Sequence, residues 1–138
     1  MSAPRRTKIV VASTGVVLVL AIGALLFVLL RTTEEDRVAE AVDRFVTAVD
    51  TEDQAGILDA LCGAEAASLT GDDDFDPAYN GHTSGSPRER EIAGVRIDGD
   101  VAAARLTRPG QPPTTLYLLR ENGGWKVCAP AAERFAGA

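Results

Sequence analysis

Near its N-terminus the chain has one continuous apolar segment, Ile9–Leu30, and only after it do apolar and polar positions alternate. The segment contains no charged residue, and its polar side chains are Ser13 and Thr14. As a helix, its 22 residues would extend about 33 Å, which is enough to cross a hydrocarbon core of about 30 Å. The pattern therefore predicts a transmembrane anchor that contacts the lipid bilayer.

The charges around the anchor predict its direction. The tail of residues 1–8 contains Arg5, Arg6 and Lys8, whereas an acidic cluster follows the anchor. Because an excess of Lys and Arg marks the cytoplasmic side, we expect a single-pass cell-membrane protein with a cytoplasmic N-terminus. Residues 31–138 would then form one extracytoplasmic domain.

A cleaved secretory signal is the alternative interpretation of the same segment. Such a signal has an apolar region of about 7–15 residues followed by a small-x-small cleavage site. Ala21-Ile22-Gly23 fits that site poorly, and Ala24–Leu30 continues the apolar run beyond it. There is no Leu-x-x-Cys lipobox, since the first cysteine is Cys62. The sequence favours an uncleaved anchor.

The residues after the anchor first show the spacing of an amphipathic helix, which we predict over Glu34–Asp53. Thr32 or Thr33 would cap it, and the acidic side chains of its first turn would suit the helix dipole. Glu40, Asp43, Arg44 and Asp50 fall on the opposite, polar side. The apolar side consists of Val38, Ala41, Val42, Phe45, Ala48 and Val49.

A second, shorter helix is predicted over Asp53–Cys62, with Gly63 as its stop. Ala64–Leu69 is long enough for one further turn. Thr70–Pro87 is rich in Asp, Gly, Ser and Pro, and we predict a loop without a core role.

Four β-prone segments follow, with short turn signals between them. Asp98-Gly99-Asp100 and Asn122-Gly123-Gly124 predict tight hairpins, and Ala93, Val95 and Ile97 would share one face of the first strand. Helices followed by a run of strands indicate an α+β fold, with two to three helices on one face of a four-stranded antiparallel sheet. The predicted strands are Glu91–Ile97, Val101–Thr107, Thr115–Arg120 and Trp125–Cys128.

The charge balance limits the partners of this domain. All 20 acidic residues and 11 of the 14 basic residues follow the anchor, while the other three basic residues lie in the tail, so the domain has a formal net charge of −9. Nucleic acids and anionic lipid surfaces need a basic footprint, and we predict neither as a ligand of the domain. The preference for Arg over Lys and the abundance of Ala are typical of a high-GC bacterial genome.

Cys62 and Cys128 are the two cysteines of the chain, and a pair outside the cytoplasm is expected to form a disulfide. The bond would join the end of the second helix to the end of the last strand. Strict alternation puts Cys128 on the face opposite Trp125 and Val127, so the strand must end or bulge there. Two free thiols or an intermolecular bond are the alternatives.

One acidic stretch has the spacing of a metal loop. Asp72, Asp74 and Asp76 alternate as at the start of a calcium-binding EF-hand loop. That motif needs Gly at its sixth position and Glu at its twelfth, where this chain has Pro77 and Thr83. We interpret the stretch as a solvated acidic loop.

Catalytic patterns are similarly incomplete. His82 is the single histidine, and zinc sites need three or four ligands. Ser84 and Ser86 lie near it, but the surrounding residues do not form a Gly-x-Ser-x-Gly nucleophile elbow. Trp125 is interpreted as a core residue. The sequence predicts no catalytic residue, no cofactor and no metal.

Taken together, several segments resemble the small extracytoplasmic nuclear-transport-factor-2-like domains of bacterial membrane proteins and lipoproteins. The resemblance covers Glu34–Cys128 and implies a cone-shaped α+β roll, with helices packed on a curved sheet and sometimes around a pocket. In the high-GC bacterial branch it also implies a link like Cys62–Cys128. The segments that carry it are Val38-Ala39-Glu40-Ala41-Val42-Asp43-Arg44-Phe45, Val95-x-Ile97-x-Gly99-Asp100-x-Ala102 and Glu121-Asn122-Gly123-Gly124-Trp125-Lys126-Val127-Cys128.

Most domains of this kind have no assigned function, and enzymes of the wider fold carry buried Asp, His or Tyr at the pocket. Asp59, Tyr79 and Tyr117 are the candidates here, but none matches clearly. We therefore expect a non-catalytic, membrane-tethered binding or scaffold domain of the cell envelope, with an envelope protein as its partner. The alternatives are an accessory subunit of an envelope lipid-transport or export complex, and a small pocket enzyme.

Overall fold

The structure is a computed structural model that describes residues 7–79 and 86–137, with the side chains of residues 7–18, 31 and 32 left undescribed. It confirms the α+β class: the described residues form helices and one antiparallel sheet of order β1-β2-β3-β4. The elements are α1 Thr7–Asp50, α2 Gln54–Ala60, α3 Gly63–Thr70, β1 Glu91–Asp98, β2 Val101–Thr107, β3 Thr114–Glu121, β4 Gly124–Val127 and α4 Ala131–Ala136.

Helix α1 is a single element where the sequence predicts two. Thr33, a predicted N-cap, has helical backbone, and its Oγ1 donates to the carbonyl oxygens of Leu29 and Leu30 at 3.3 and 2.8 Å. A threonine hydroxyl inside a helix can donate to a carbonyl oxygen of the preceding turn in this way. The predicted cap at Thr33 is therefore wrong. The chain divides into two compact units, Met1–Glu34 and Glu35–Ala138.

The apolar side chains between Val19 and Leu30 are exposed. The large ones among them have 50–69% of their surface accessible. When the described residues are searched for a helix of sufficient length and apolarity to span a bilayer, none is found. The tail residues Arg5 and Arg6, and the side chains of residues 8–18, lie outside that description.

The core of the second unit lies between the last four turns of α1 and one face of the sheet. The α1 stripe is buried against even-numbered positions of β2 and β3, because alternate residues of a strand point to the same face. The side chains that β2 contributes to this face are mostly alanines. The buried residues at the centre of this contact are Val38, Val42, Val46, Ala102, Ala104 and Leu118.

Strand β1 contains a β-bulge that the sequence analysis did not predict. Gly94 has a φ of +60°, and the pairing with β2 shifts register between Ala93 and Arg96. The extra residue reverses the alternation, so Ile92 and Val95 face the core whereas Ala93 is exposed. The prediction that Ala93 shares a face with Val95 is therefore wrong.

Both predicted hairpins are confirmed. Asn122 and Gly123 have φ values of +51° and +79°, the left-handed pair that a type I′ turn requires. Gly99 has a φ of +59° in the turn that joins β1 to β2. Two-residue connections of this kind fix the register of both neighbouring strand pairs.

Gly63 begins a helix instead of ending one. Helix α2 stops at Ala60, and Leu61 and Cys62 are extended before α3 starts. The N–H of Gly63 donates to Oε2 of Glu121 at 3.0 Å. A carboxylate at that position suits the positive end of the new helix, so the glycine is held by a strand residue that sequence proximity does not reveal.

The predicted intramolecular disulfide is confirmed, and it lies at the β4 edge of the sheet. Leu61 forms a parallel bridge with Val127, and the Cys62 N–H donates to the Val127 carbonyl at 2.9 Å. Strand β4 ends at Val127, and the Cys128 N–H then donates to Tyr117. The Cα atoms of Cys62 and Cys128 are 5.3 Å apart, within the usual range for a disulfide.

The bond belongs to a second, smaller core on the opposite sheet face. Helix α4 covers that face and was not predicted. Phe135 lies 6.0 Å from Tyr117 between ring centroids, and the Arg96 guanidinium is 5.1 Å from the Phe135 centroid. The buried members of this core are Cys62, Val101, Cys128 and Ala131.

Removal of the disulfide should lower the free energy of unfolding substantially. The bond closes a loop with a sequence separation of 66 residues, for which chain entropy gives up to roughly 4 kcal/mol. We expect the Cys62→Ala, Cys128→Ala double variant to lose about 2–4 kcal/mol in urea denaturation of the detergent-solubilised chain.

Reduced wild-type protein is the control for this experiment, because it loses the bond without losing side-chain volume. Its stability should fall by a similar amount. Equal stability of oxidised and reduced wild-type protein would contradict the assignment of a stabilising role to this bond.

Candidate functional site: an open groove and an arginine cluster

A groove of about 400 Å³ lies between α1, α2 and β4. Ala41 and Ala48 of α1 and Gly56 of α2 line its bottom. Gly56 is needed there because a Cβ at this position would overlap the Asp53 carboxylate and lie 3.1 Å from the Ala48 methyl group. Small residues thus hold the groove open where a larger side chain would fill it.

The groove is lined by charges of both signs. Asp53 is the N-cap of α2, and its Oδ1 accepts from the Gly56 N–H at 3.0 Å. Lys126 contacts Asp59 through both the carbonyl oxygen and the carboxylate, the latter at 3.6 Å. Arg44 supplies a second cation. The groove thus combines small residues at its bottom with charged side chains around them.

Trp125 forms the wall of the groove from the core side. Its side chain is buried in the main core, as the sequence analysis predicted. The Arg120 guanidinium lies 4.6 Å from the Trp125 ring centroid, a distance typical of a cation–π contact. This contact fixes the ring at the end of β3 and β4.

Beside the groove, the end of α1 carries a carboxylate enclosed by arginines. The Asp50 side chain is 1% exposed. Its Oδ1 accepts from Arg108 Nη2 at 2.9 Å and from Arg88 Nε at 3.1 Å, and its Oδ2 accepts from the Arg88 N–H at 3.1 Å. Arg90 Nη1 is 3.7 Å from Oδ2. Asp50, which the helical spacing placed on the polar side, is therefore buried by tertiary packing.

Arg90 joins this cluster to the groove. Its Nη2 donates to Asp43 Oδ1 and to Thr47 Oγ1, each at 2.6 Å. Asp43 and Thr47 also line the groove. Because Arg88 and Arg90 precede β1 while Asp43 and Asp50 belong to α1, the cluster fastens the segment before the sheet to the helix.

The cluster holds Asp50 in its ionised form. Burial acts to raise the pKa of Asp50, but hydrogen bonds from Arg108 and Arg88, together with the charge of Arg108, outweigh it and leave the pKa below its ordinary value of 3.8. The Arg108 side chain is 12% exposed, and its buried Nη1 has no hydrogen-bond partner among the described residues. Ion pairs thus hold this site together, and its positive side chains outnumber its carboxylates.

The three candidate pocket residues are not brought together. Asp59 lines the groove, but its side chain is 81% exposed. Tyr117 packs on the opposite sheet face against Phe135. Tyr79 is exposed, and its hydroxyl donates to Glu52 Oε2 at 3.2 Å. That hydrogen bond, with the charge of Glu52, raises the pKa of Tyr79 above its ordinary value.

The acidic stretch forms local turns. Asp72 and Asp76 accept from main-chain N–H groups two residues on, at 3.2 and 2.9 Å. Among the residues described, no three acidic, histidine or cysteine side chains are placed to hold a metal ion. His82 and Ser84 lie in residues 80–85, outside the description, and Ser86 is exposed at its edge.

The sequence analysis missed the arginine cluster. A local signal existed, since Arg88 and Arg90 are two residues apart and so project from one side of an extended segment. The partner could not be identified, because Arg88 and Arg108 lie 38 and 58 residues from Asp50. An aspartate at a helix end is ordinarily solvated, and only tertiary packing buries this one.

Comparison with known proteins adds no relative: no protein-family model, no curated protein and no solved structure matches this chain.

Replacement of Asp50 by Asn should destabilise the domain because three guanidinium groups lose their shared carboxylate. We expect a loss of roughly 2–3 kcal/mol in the free energy of unfolding, as for a buried hydrogen bond to a charged group. Asp43→Asn is the matched control. Its side chain is 53% exposed and pairs with Arg90, so its loss should stay below about 1 kcal/mol.

The lowered pKa of Asp50 also predicts how the stability of the Asp50→Asn variant depends on pH. Because the folded pKa of Asp50 is lowered, its contribution to stability is present above the ordinary value of 3.8 and is lost as pH falls through the folded pKa. Asp50→Asn should therefore flatten the acid limb of a stability profile measured between about pH 2 and 6. An unchanged acid limb would contradict the assignment.

Proposed function

We propose that this chain is a membrane-tethered, non-catalytic binding domain of the bacterial cell envelope, displayed outside the cytoplasm. The observation that carries the proposal is the composition of α1. One helix, Thr7–Asp50, contains the uncharged apolar segment and also supplies the helical half of the domain core. A helix of this kind links the folded domain directly to the segment proposed as its anchor.

Exposed apolar surface supports the tether. The large apolar side chains from Val19 to Leu30 are at least half exposed, which is costly in water and favourable in hydrocarbon. The basic tail and the acidic domain support a cytoplasmic N-terminus. The Cys62–Cys128 disulfide supports an oxidising compartment for the domain, because such bonds are rare in the cytosol.

The packing supports a binding role. The space between α1 and the sheet is filled by Val38, Val42, Leu118 and Trp125. The groove, by contrast, opens to solvent and presents Asp59 and other charged side chains at its surface. A filled interior beside an open charged groove favours a domain that recognises a partner by its surface. We also propose that the fold is a nuclear-transport-factor-2-like roll, and the four-stranded meander with α1 packed on one of its faces supports this.

The proposed topology can be tested with single cysteine labels. Ser2→Cys would place a thiol in the tail, and Ser68→Cys would place one on the exposed surface of α3. In intact cells stripped of their outer layers, a membrane-impermeant maleimide should label Ser68→Cys. It should label Ser2→Cys only after lysis. The opposite pattern, or equal labelling of both before lysis, would contradict the proposal.

The groove can be tested by site-specific photocrosslinking in living cells. A photoreactive residue at Asp59, in the groove, should yield a discrete adduct with an envelope protein. The same residue at Ser68, which is exposed but does not line the groove, is the control. Adducts of equal yield at both positions, or none at Asp59, would exclude the groove as the binding surface.

A further inference from the structure

The two edges of the sheet differ in whether another segment pairs with their main chain. At the β4 edge, Leu61 and Cys62 pair with Val127 and the disulfide fixes them there. Strand β1, eight residues long, forms the other edge and pairs with β2. No other described segment makes a main-chain hydrogen bond to it. An exposed edge is a template for another strand, and here the bulge at Gly94 divides it into two short regular segments, residues 91–93 and 96–98.

A shallow hollow of about 450 Å³ lies along this edge on the face away from the main core. Arg96 of β1 and Arg105 of β2 line it, and no acidic side chain does. Neither guanidinium forms an ion pair within the described part of the chain, and Arg96 is steadied by Phe135. The hollow therefore favours an acidic side chain that comes from another strand.

Strand β1 itself carries such a side chain. Glu91 is exposed on the same face as Arg96, although residues five apart in a regular strand point to opposite faces. The bulge at Gly94 causes this coincidence by adding one residue between them. For the same reason Ile92 and Val95 share the core face.

We propose that two copies of this chain pair antiparallel through their β1 edges, about a two-fold axis at Ala93. With the bulged residues Gly94 and Val95 counted as one position of the strand, Glu91 of each copy lies opposite Arg96 of the other, and Ile92 lies opposite Val95. In each pair the two side chains lie on the same face of the sheet, and they are either opposite in charge or both apolar. The two-fold axis repeats the charged pair, so two ion pairs form. The pairing uses only the sheet edge, so it is independent of the proposed tether, on which the labelling experiment reports separately.

The register predicts a crosslink. Opposed residues in an antiparallel pair have Cα atoms about 4.5–5.5 Å apart, which a disulfide can bridge. Ala93 is exposed, so Ala93→Cys in the full chain in mild detergent should form a disulfide-linked dimer that reductant reverses. Ser68→Cys is the matched control. We expect at least about a tenfold lower dimer yield from it, and equal or absent dimer from both variants would overturn the proposal.

Charge reversal tests the register without an added cysteine. By sedimentation in detergent, Glu91→Arg should weaken self-association about tenfold, because both charge pairs become repulsive. Adding Arg96→Glu to it should restore association. Unchanged self-association in the single variant, or no recovery of it in the double variant, would overturn the register. This test stands even if Ala93→Cys fails to fold.

Discussion

The packing of one helix stripe on a shallow strand determines the rest of this domain. Val38, Val42 and Val46 of α1 lie against a sheet whose central strand presents Ala102 and Ala104. This packing removes apolar surface of both the helix and the sheet from water. A larger residue in β2 would push α1 outward, and both the groove beside it and the carboxylate at its end would lose their geometry.

Two further interactions fix the parts that this packing leaves free. The Cys62–Cys128 bond secures the connection between α2 and α3 to the β4 edge. Asp50 secures the segment before β1 to the end of α1 by accepting from Arg88 and Arg108. One device is covalent and depends on an oxidising environment, whereas the other is electrostatic and depends on an ionised carboxylate. Together they connect both edges of the sheet to the helical layer.

The parts of the fold that the sequence predicted are those with local causes. The Asn122-Gly123 turn was predictable because few residues tolerate a positive φ at both turn positions. The α1 stripe was predictable in part, because helical periodicity is local; however, Val49 is 41% exposed, and Val46, which was not predicted, is buried. The cap at Thr33 failed because the same hydroxyl can bond within a continuous helix. The burial of Asp50 could not be predicted, since its partners are far away in sequence. The Cys62–Cys128 pairing was predictable because only one intramolecular pairing exists.

These elements are consistent with the proposed role of a tethered domain that presents a binding surface. The central claim is that the apolar half of α1 lies in the bilayer while the disulfide-bonded domain stands outside the cytoplasm. The most direct measurement is extraction of native membranes with alkaline carbonate, followed by thiol alkylation with and without reductant. The account predicts that the chain stays in the membrane pellet and that both cysteines react only after reduction. A chain released to the supernatant with two freely reactive thiols would contradict it.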